Sequence, residues 1–322
     1  MTLQEAVVFF SVYENCHKFM VELRWPSGVV CCPRCGSDRV VYLAKAKAWK
    51  CYQKHDQAKF TLKTGTVFED SPIALAKWIT AVWQVVNCRN GISSWELHRA
   101  LGVTQKTAWF MLHRIRLAMQ DDNGGKLGSW DGGEVEVDET FIGGKARNMH
   151  ADRKQKMQKL TGRDAGKTIV LGMLERHGNV RAKVVSDRKA STIRPIIREH
   201  IESGSNVHSD EFGDSWRIDA EFYHQFVNHA EKYVNGQCHT NGIENFWSLL
   251  KRCIGGTYVS VEPFHLFRYV DEQAFRFNNR KHDTGEVVTD YERFTAALSK
   301  IVGRRLTYKQ LTGKEGVPAE AF

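Results

Sequence analysis

The sequence predicts an α/β protein: a mixed-sheet core in the second half, preceded by a small cysteine-rich module and a helical domain. Three observations carry that expectation. Cysteine and histidine residues fall in two short knuckles between residues 32 and 55. Residues 72–119 hold apolar side chains at helical spacing throughout, and from residue 134 strand and helix patterns alternate to about residue 300.

The 322 residues leave room for two or three domains, and 42% apolar with 26% charged residues is ordinary for a globular chain. No stretch approaches the roughly 20 apolar residues of a membrane helix, and Met1–Phe10 lacks the basic lead of a secretory signal. A cytoplasmic protein without membrane contact is expected, so the eight cysteines should not form disulfides. The net charge of +9 is uneven: residues 1–120 hold 16 Lys+Arg against 8 Asp+Glu, whereas residues 121–322 hold 30 against 29. A basic front on a near-neutral body suits a module that grips nucleic-acid phosphates.

The expected divisions are an N-terminal helix over 1–27, a cysteine-rich module over 28–70, a helical domain over 71–120 and a linker over 121–133. A core domain over 134–300 with a basic insertion at 145–167, and a tail over 301–322, complete the chain. The first helix should end near Trp25-Pro26, because proline disfavours helix for the residue before it. Short β-type runs fall at Val40–Leu43 and Phe60–Leu62, and Pro72 stands near a helix start.

Cys32-Pro33-Arg34-Cys35-Gly36 has the two-residue spacing that lets two thiolates grip one tetrahedral zinc ion. Cys51 and His55 supply a second knuckle 15 residues later, making a zinc ribbon too small to hold together without its metal. Cys31 competes with Cys32, but only Cys32 has the right spacing to Cys35; Cys16, Cys88, Cys238 and Cys253 are expected to be packing residues.

In the helical domain Ser94 is expected to cap a helix over Trp95–Leu101, Gly102-Val103 to turn, and Thr104 to cap a second helix over Gln105–Arg116. Leu97, Leu101, Val103, Ala108, Met111 and Leu112 then form a core. That leaves Gln105, Lys106, Thr107 and Arg114 outward on the second helix of a DNA-binding helix-turn-helix.

Glu134–Ile142 alternates as a strand, with Val135 and Val137 on one face and Glu136 and Asp138 on the other. Strands Thr168–Glu175 and Val180–Ser186, a helix Ser191–Ile201 and a strand Asn206–Asp210 come next. Acids on the first and fourth strands of this order mark an RNase H-like core, which needs a third acid on a later helix. Ile243–Ile254 supplies it, with Ile243, Phe246, Trp247, Leu250 and Ile254 as an apolar stripe, Glu244 beside it, and Lys251 two turns on. Phosphodiester attack needs an activated hydroxyl and a stabilised leaving oxygen. Two Mg²⁺ (or Mn²⁺) ions roughly 3.5–4 Å apart provide both, held by carboxylates. Asp138 and Asp210 are the expected main ligands, Glu244 completes one site, and Lys251 holds a phosphate beside it. Glu136, Glu139, Glu211 and Asp214 are expected at the surface or in support, with His208 and His239 as hydrogen-bonding neighbours.

These segments resemble insertion-sequence transposases of the ISXO-like group, which carry an N-terminal zinc ribbon and a DDE domain. The resemblance rests on Cys32–Ser37, Thr64–Ser71, Gly91–Ser94 and Leu101–Trp109, and on Val137–Thr140 with Gly143-Gly144-Lys145, Ser209-Asp210-Glu211, and His239–Arg252. It implies a transposase that binds the terminal inverted repeats of an insertion sequence and cuts and rejoins double-stranded DNA with divalent metal. It also implies a homo-oligomer on DNA, at the bacterial nucleoid. The chain departs from the family at the second knuckle, where Cys-x-x-Cys is common and Cys51 is followed here by His55. Asn occurs in some groups at the third acid, so Asn241 is the alternative to Glu244. A non-catalytic DNA-binding regulator and a resolvase-like nuclease are the competing functions.

Overall fold

A capping box opens the chain: Thr2 Oγ1 accepts the Glu5 N–H at 3.3 Å and the Glu5 carboxylate accepts the Thr2 N–H at 2.7 Å, starting α1 (Leu3–Ser11). Extended backbone at Val12 breaks the helix, and α2 (Tyr13–Arg24) begins beyond it, so the helix expected over 1–27 is two helices. The computed structural model describes residues 1–121, 124–143, 166–210, 216, 218, 220–227, 239–282 and 284–314. They divide into one unit of Met1–Gln120 with the residues from Val287 onward, and another within Asp121–Glu286.

In the first unit β1 (Val40–Leu43), β2 (Ala48–Cys51) and β3 (Lys59–Phe60) form an antiparallel sheet in that order. Trp49 stands opposite Tyr42 and Phe60 and stacks on Phe60 and His17 at 5.7 and 5.2 Å between ring centroids. β3 stops short of the Phe60–Leu62 run because Thr61 donates its N–H to Thr64 Oγ1 (3.1 Å), which turns the chain.

Helices α3 (Leu75–Asn87), α4 (Ser94–Leu101) and α5 (Gln105–Met119) come after the sheet. The cap of α4 is Ser93, not Ser94. Ser93 and Glu96 form a capping box, while the Ser94 hydroxyl accepts from Gln105 Nε2 at 2.8 Å. Gly102, at φ +59°, ends α4, and Thr104 caps α5. Leu97, Leu101, Ala108, Met111 and Leu112 are buried, and Val103 is half-buried.

The second unit is built on β4 (Glu134–Ile142), β5 (Thr168–Glu175), β6 (Val180–Val185), α6 (Ala190–His200), β7 (Asn206–Asp210) and β8 (Tyr223–Val227), then α7 (Asn241–Arg252) and α8 (Leu266–Asn278). The five strands lie in the order β6-β5-β4-β7-β8, antiparallel from β6 to β4 and parallel from β4 to β8, the mixed sheet of an RNase H-like core. Val135, Val137, Leu171, Met173 and Val207 pack on one face under Ile193 and Ile197 of α6. Val170 and Leu174 pack on the other under Ile243, Phe246, Trp247 and Leu250 of α7 and Leu266, Val270 and Phe277 of α8. At roughly 1.5–3 kcal/mol for each buried large apolar side chain, these two layers dominate the unit's stability. Leu127, expected in a linker, is buried and bridges Ile201, because its N–H and carbonyl are paired by His200 and Glu202. Of the basic segment 145–167 only Gly166 and Lys167 lie within the described residues; Glu211, Asp214 and Cys238 lie outside them.

The chain then returns to the first unit, 14 residues before the expected boundary at 300, with α9 (Asp290–Ser299) and α10 (Tyr308–Leu311). Phe294 explains the shift: it is fully buried, with its ring 4.9 Å from Trp83, 5.8 Å from Phe10 and 5.9 Å from Phe19. The segment expected as a tail is packed over its described residues, since Thr66 bridges Val302, and Ile301, Leu306 and Leu311 are buried. Residues 315–322 lie outside the described ones. No helix among the described residues is long and apolar enough to cross a membrane.

Candidate catalytic and metal centres

The two knuckles converge. Cys32 Sγ lies 3.7 Å from His55 Nε2, Cys35 Sγ lies 3.7 Å from Cys51 Sγ, and all four ligand atoms fall within 4.8 Å of one another. Metal–sulfur bonds of ~2.3 Å in a tetrahedron place ligands about 3.8 Å apart, so the four donors fit one zinc ion. Gly36 at φ +70° turns the first knuckle, and Cys51 closes β2. Burial opposes ionisation of the Cys32 thiol, but the backbone N–H groups of Arg34 and Cys35 outweigh it and hold that thiol below its ordinary value. Cys31 is outside the group, its Sγ turned to the Val29 carbonyl at 3.7 Å. Cys16 and Cys253 are buried and Cys88 is half-buried.

On α5, Lys106 is exposed, and Gln105 and Thr107 are half-buried. Lys106 Nζ sits 4.7 Å from the Tyr308 ring centroid, and Thr107 Oγ1 lies 2.8 Å from Thr104 Oγ1. Arg114 does not face outward. Only 4% exposed, it donates to the Glu69 carbonyl and sits over the Trp78 and Phe110 rings at 5.4 and 5.2 Å. Desolvation pulls its guanidinium down to about 10.

The register of the second sheet assembles the acids. Glu136 stands opposite His208 on parallel β7, so the same register brings Asp138 and Asp210 level on neighbouring strands. The β4–β7 pairing runs from Glu134 to Glu136 and stops two residues short of Asp138. Asp138, Glu139 and Asp210 gather there, with carboxylate oxygens within 4.8 Å of one another. Burial, with the nearby Asp210 charge, pushes the Asp138 carboxyl up to about 7. Glu139 is not a surface group: its side chain is 4% exposed, Arg188 donates to Oε1 at 3.1 Å, and its carboxyl is raised by burial. Glu139 Oε2 is buried with no hydrogen-bond partner among the described residues. Three acids converging on one place, one with an orphaned oxygen, is a donor set that fits a hard divalent cation.

Glu136 is not at the surface either. It is 1% exposed, accepting from Arg176 Nε at 3.2 Å and from the Ile243 N–H at 2.9 Å, so it caps the start of α7 from within the sheet. His239 Nδ1 lies 3.2 Å from its Oε1, and His208 Nε2 lies 3.6 Å from Glu134 Oε1, the His208 imidazole being lowered by burial. Glu244 stays outside the 4.8 Å group. It is exposed on the first turn of α7 and accepts from Thr240 Oγ1 at 3.1 Å; Asn241 and Lys251 are also exposed. The helix reaches Asp138 by another residue: Trp247 Nε1 donates to Asp138 Oδ2 at 2.9 Å. The sequence pattern alone assigns Trp247 to packing. Gly172, opposite Asp138 on β5, is the signal that could have found this contact, because glycine inside a strand marks a close approach.

A model of the ISXO2-like transposase domain matches residues 132–278, from the start of β4 to the end of α8, and one of the transposase zinc-ribbon domain matches residues 14–57. An uncharacterized protein in transposable element ISH50 of Halobacterium salinarum is 27% identical over 243 residues, covering 72% of this chain and 80% of the relative. An uncharacterized transposase-like protein of Haemophilus influenzae is 34% identical over 97 residues, 30% of this chain and 78% of that protein. The chain belongs to the ISXO2-like transposase family. Membership implies DNA binding, a DNA-cutting domain that uses a divalent metal, and zinc in the ribbon. The zinc-ribbon match begins within α2, well before residue 28.

Proposed function

We propose that this protein binds the terminal inverted repeats of an insertion sequence, cleaves the DNA there and joins the freed strand to target DNA. The observation that carries the reading is the convergence of Asp138 and Asp210 on adjacent strands, in a family whose domain is named for transposition. Asp138 and Asp210 hold Mg²⁺ or Mn²⁺, which when bound activates the attacking oxygen and stabilises the leaving one. Glu244 is the third carboxylate, on the helix whose Trp247 touches Asp138; Glu139 is the rival, favoured by its place in the cluster and its orphaned oxygen. Lys251, two helical turns after Glu244, holds a DNA phosphate. Helices α4 and α5 act as a helix-turn-helix, with Gln105, Lys106 and Thr107 meeting base edges and phosphates. Cys32, Cys35, Cys51 and His55 hold structural zinc, and the active species is a homo-oligomer on DNA at the nucleoid.

A strand-transfer assay on labelled transposon ends tests this. Asp138→Asn, Asp210→Asn and Glu244→Gln should bind ends as the parent does and leave them uncut, while Lys251→Ala cuts more slowly and Asn241→Ala costs far less than Glu244→Gln. Glu139→Gln, run alongside, decides between the two third acids. If Asp138→Asn and Asp210→Asn cut as fast as the parent, the enzymatic reading fails.

A further inference from the structure

The indole of Trp247 is more than packing. Only 4% exposed, it lies in the apolar layer between α7 and the sheet, yet its one polar atom is aimed at an acid of the carboxylate cluster. The sheet is shaped to admit it. Asp138 pairs with Gly172 on β5, and a Cβ at Gly172 would stand 2.5 Å from Trp247 Cζ2 and 2.6 Å from Cη2. The helix is held at the depth this needs. Glu136 Oε2 accepts the Ile243 N–H at 2.9 Å, and a Cβ at Gly242 would meet that same oxygen at 2.8 Å. Two glycines and one buried glutamate thus place a donor-only N–H against Asp138 Oδ2.

We propose that Trp247 is a positioning residue for metal binding: its N–H fixes the Asp138 carboxylate through Oδ2 and leaves Oδ1 as the oxygen offered to the divalent cation. The inference rests on the reading of Asp138 as a metal ligand. A ligand carboxylate free to rotate loses freedom when it binds a cation, whereas one already held by a hydrogen bond loses less. The indole suits the task because it cannot accept a proton from the acid or itself bind the cation.

The test is Mn²⁺ affinity of the full chain, read by calorimetry without DNA, beside the Mn²⁺ concentration at half-maximal cleavage of labelled ends. Trp247→Phe keeps the ring and removes the N–H. It should weaken Mn²⁺ binding roughly 10-fold or more, the usual effect of losing a hydrogen bond to a metal ligand. Cleavage should shift to higher Mn²⁺ and recover at saturation. Gly172→Ala displaces the ring from the other side and should move both readouts the same way, so the proposal does not hang on one variant. Leu250→Ala disturbs the same apolar layer but spares the N–H, and should lower Tm while leaving Mn²⁺ affinity unchanged. Equal Mn²⁺ affinity in Trp247→Phe and the parent overturns the proposal, as does an equal loss in Leu250→Ala. Asp138→Asn separates the two layers: if it binds Mn²⁺ like the parent, Asp138 is no ligand, and the proposal falls with that reading rather than on its own account.

Discussion

Replacing Asp138 by Asn should make the metal-free protein more stable at pH 8. The carboxyl is pushed from 3.8 to about 7 by burial and by the Asp210 charge. An acid whose folded pKa is raised resists ionisation in the native state, so its contribution is neutral below about pH 4. It becomes increasingly unfavourable as pH rises to about 7, and is constant above that. That rise corresponds to about 4 kcal/mol, a ceiling that local relaxation and water entry lower toward about half. Asn removes the charge and keeps an oxygen for the Trp247 N–H, which stands 2.9 Å away. In chelator at pH 8, amide exchange along β4 and β5 should slow in Asp138→Asn relative to the parent, and the gap should close as pH falls toward 4. Saturating Mg²⁺ should reverse the order: it stabilises only the form that binds it, by about 2.7 kcal/mol at a hundredfold excess over Kd. Destabilisation by Asn in chelator at pH 8, or equal stabilisation of both proteins by Mg²⁺, would refute the reasoning.

The same geometry sets three further outcomes. Cys35→Ser should release the ribbon's zinc and expose Trp49, read as a shift in tryptophan emission, while β4–β8 amides stay protected; retained stoichiometric zinc would disprove the four-ligand site. Arg114→Ala should lower stability by about 1–3 kcal/mol, because the Glu69 carbonyl loses its buried donor, whereas Lys106→Ala should spare Tm and weaken end binding by about 1–3 kcal/mol. A drop in end binding by Arg114→Ala with no change in Tm would return that residue to the DNA surface. Phe294→Ala should destabilise the first unit by about 3–5 kcal/mol, measured by denaturant unfolding, since it empties the space among Phe10, Phe19 and Trp83; a change under about 1 kcal/mol would dissociate the chain's end from that unit.

Features that depend on short spacing are legible in the sequence. The knuckles at Cys32/Cys35 and Cys51/His55, the turn at Gly102 and the strand carrying Asp138 are set by neighbours within a few residues: the four Cys and His ligand atoms gather, Gly102 ends α4, and Asp138 lies on β4. Arg114 is misplaced by pattern because an amphipathic reading grants every helix a wet face. From Met111 to Met119 α5 has none, being buried all round. The boundary at 300 fails for a related reason: Phe294, Ala297 and Leu298 show a helical stripe that says a partner exists, not which one. Glu139 and Glu136 are expected either at the surface or in support, a choice the local pattern cannot make because Arg188, Arg176 and the Ile243 N–H arrive from 40 to 107 residues away.

The two proposed ion sites are built on opposite principles. In the ribbon the proposed ligands would hold the fold: three thiols and one imidazole stand within 4.8 Å of one another, as the corners of a tetrahedron about one ion would, and the three short strands β1–β3 offer little to replace them. In the sheet the fold holds the proposed ligands. Two apolar layers and an inward cap from Glu136 bring Asp138 and Asp210 together, and the Asp138 carboxyl is raised by its burial first and by the Asp210 charge second. A structural site gains nothing from such tension, whereas a site proposed to take up hard cations would use it, because a bound cation would relieve what the sheet imposes. Trp247 then has a definite place in the design: it steadies one acid without neutralising it, so the cluster keeps its appetite for metal while losing its freedom to turn away.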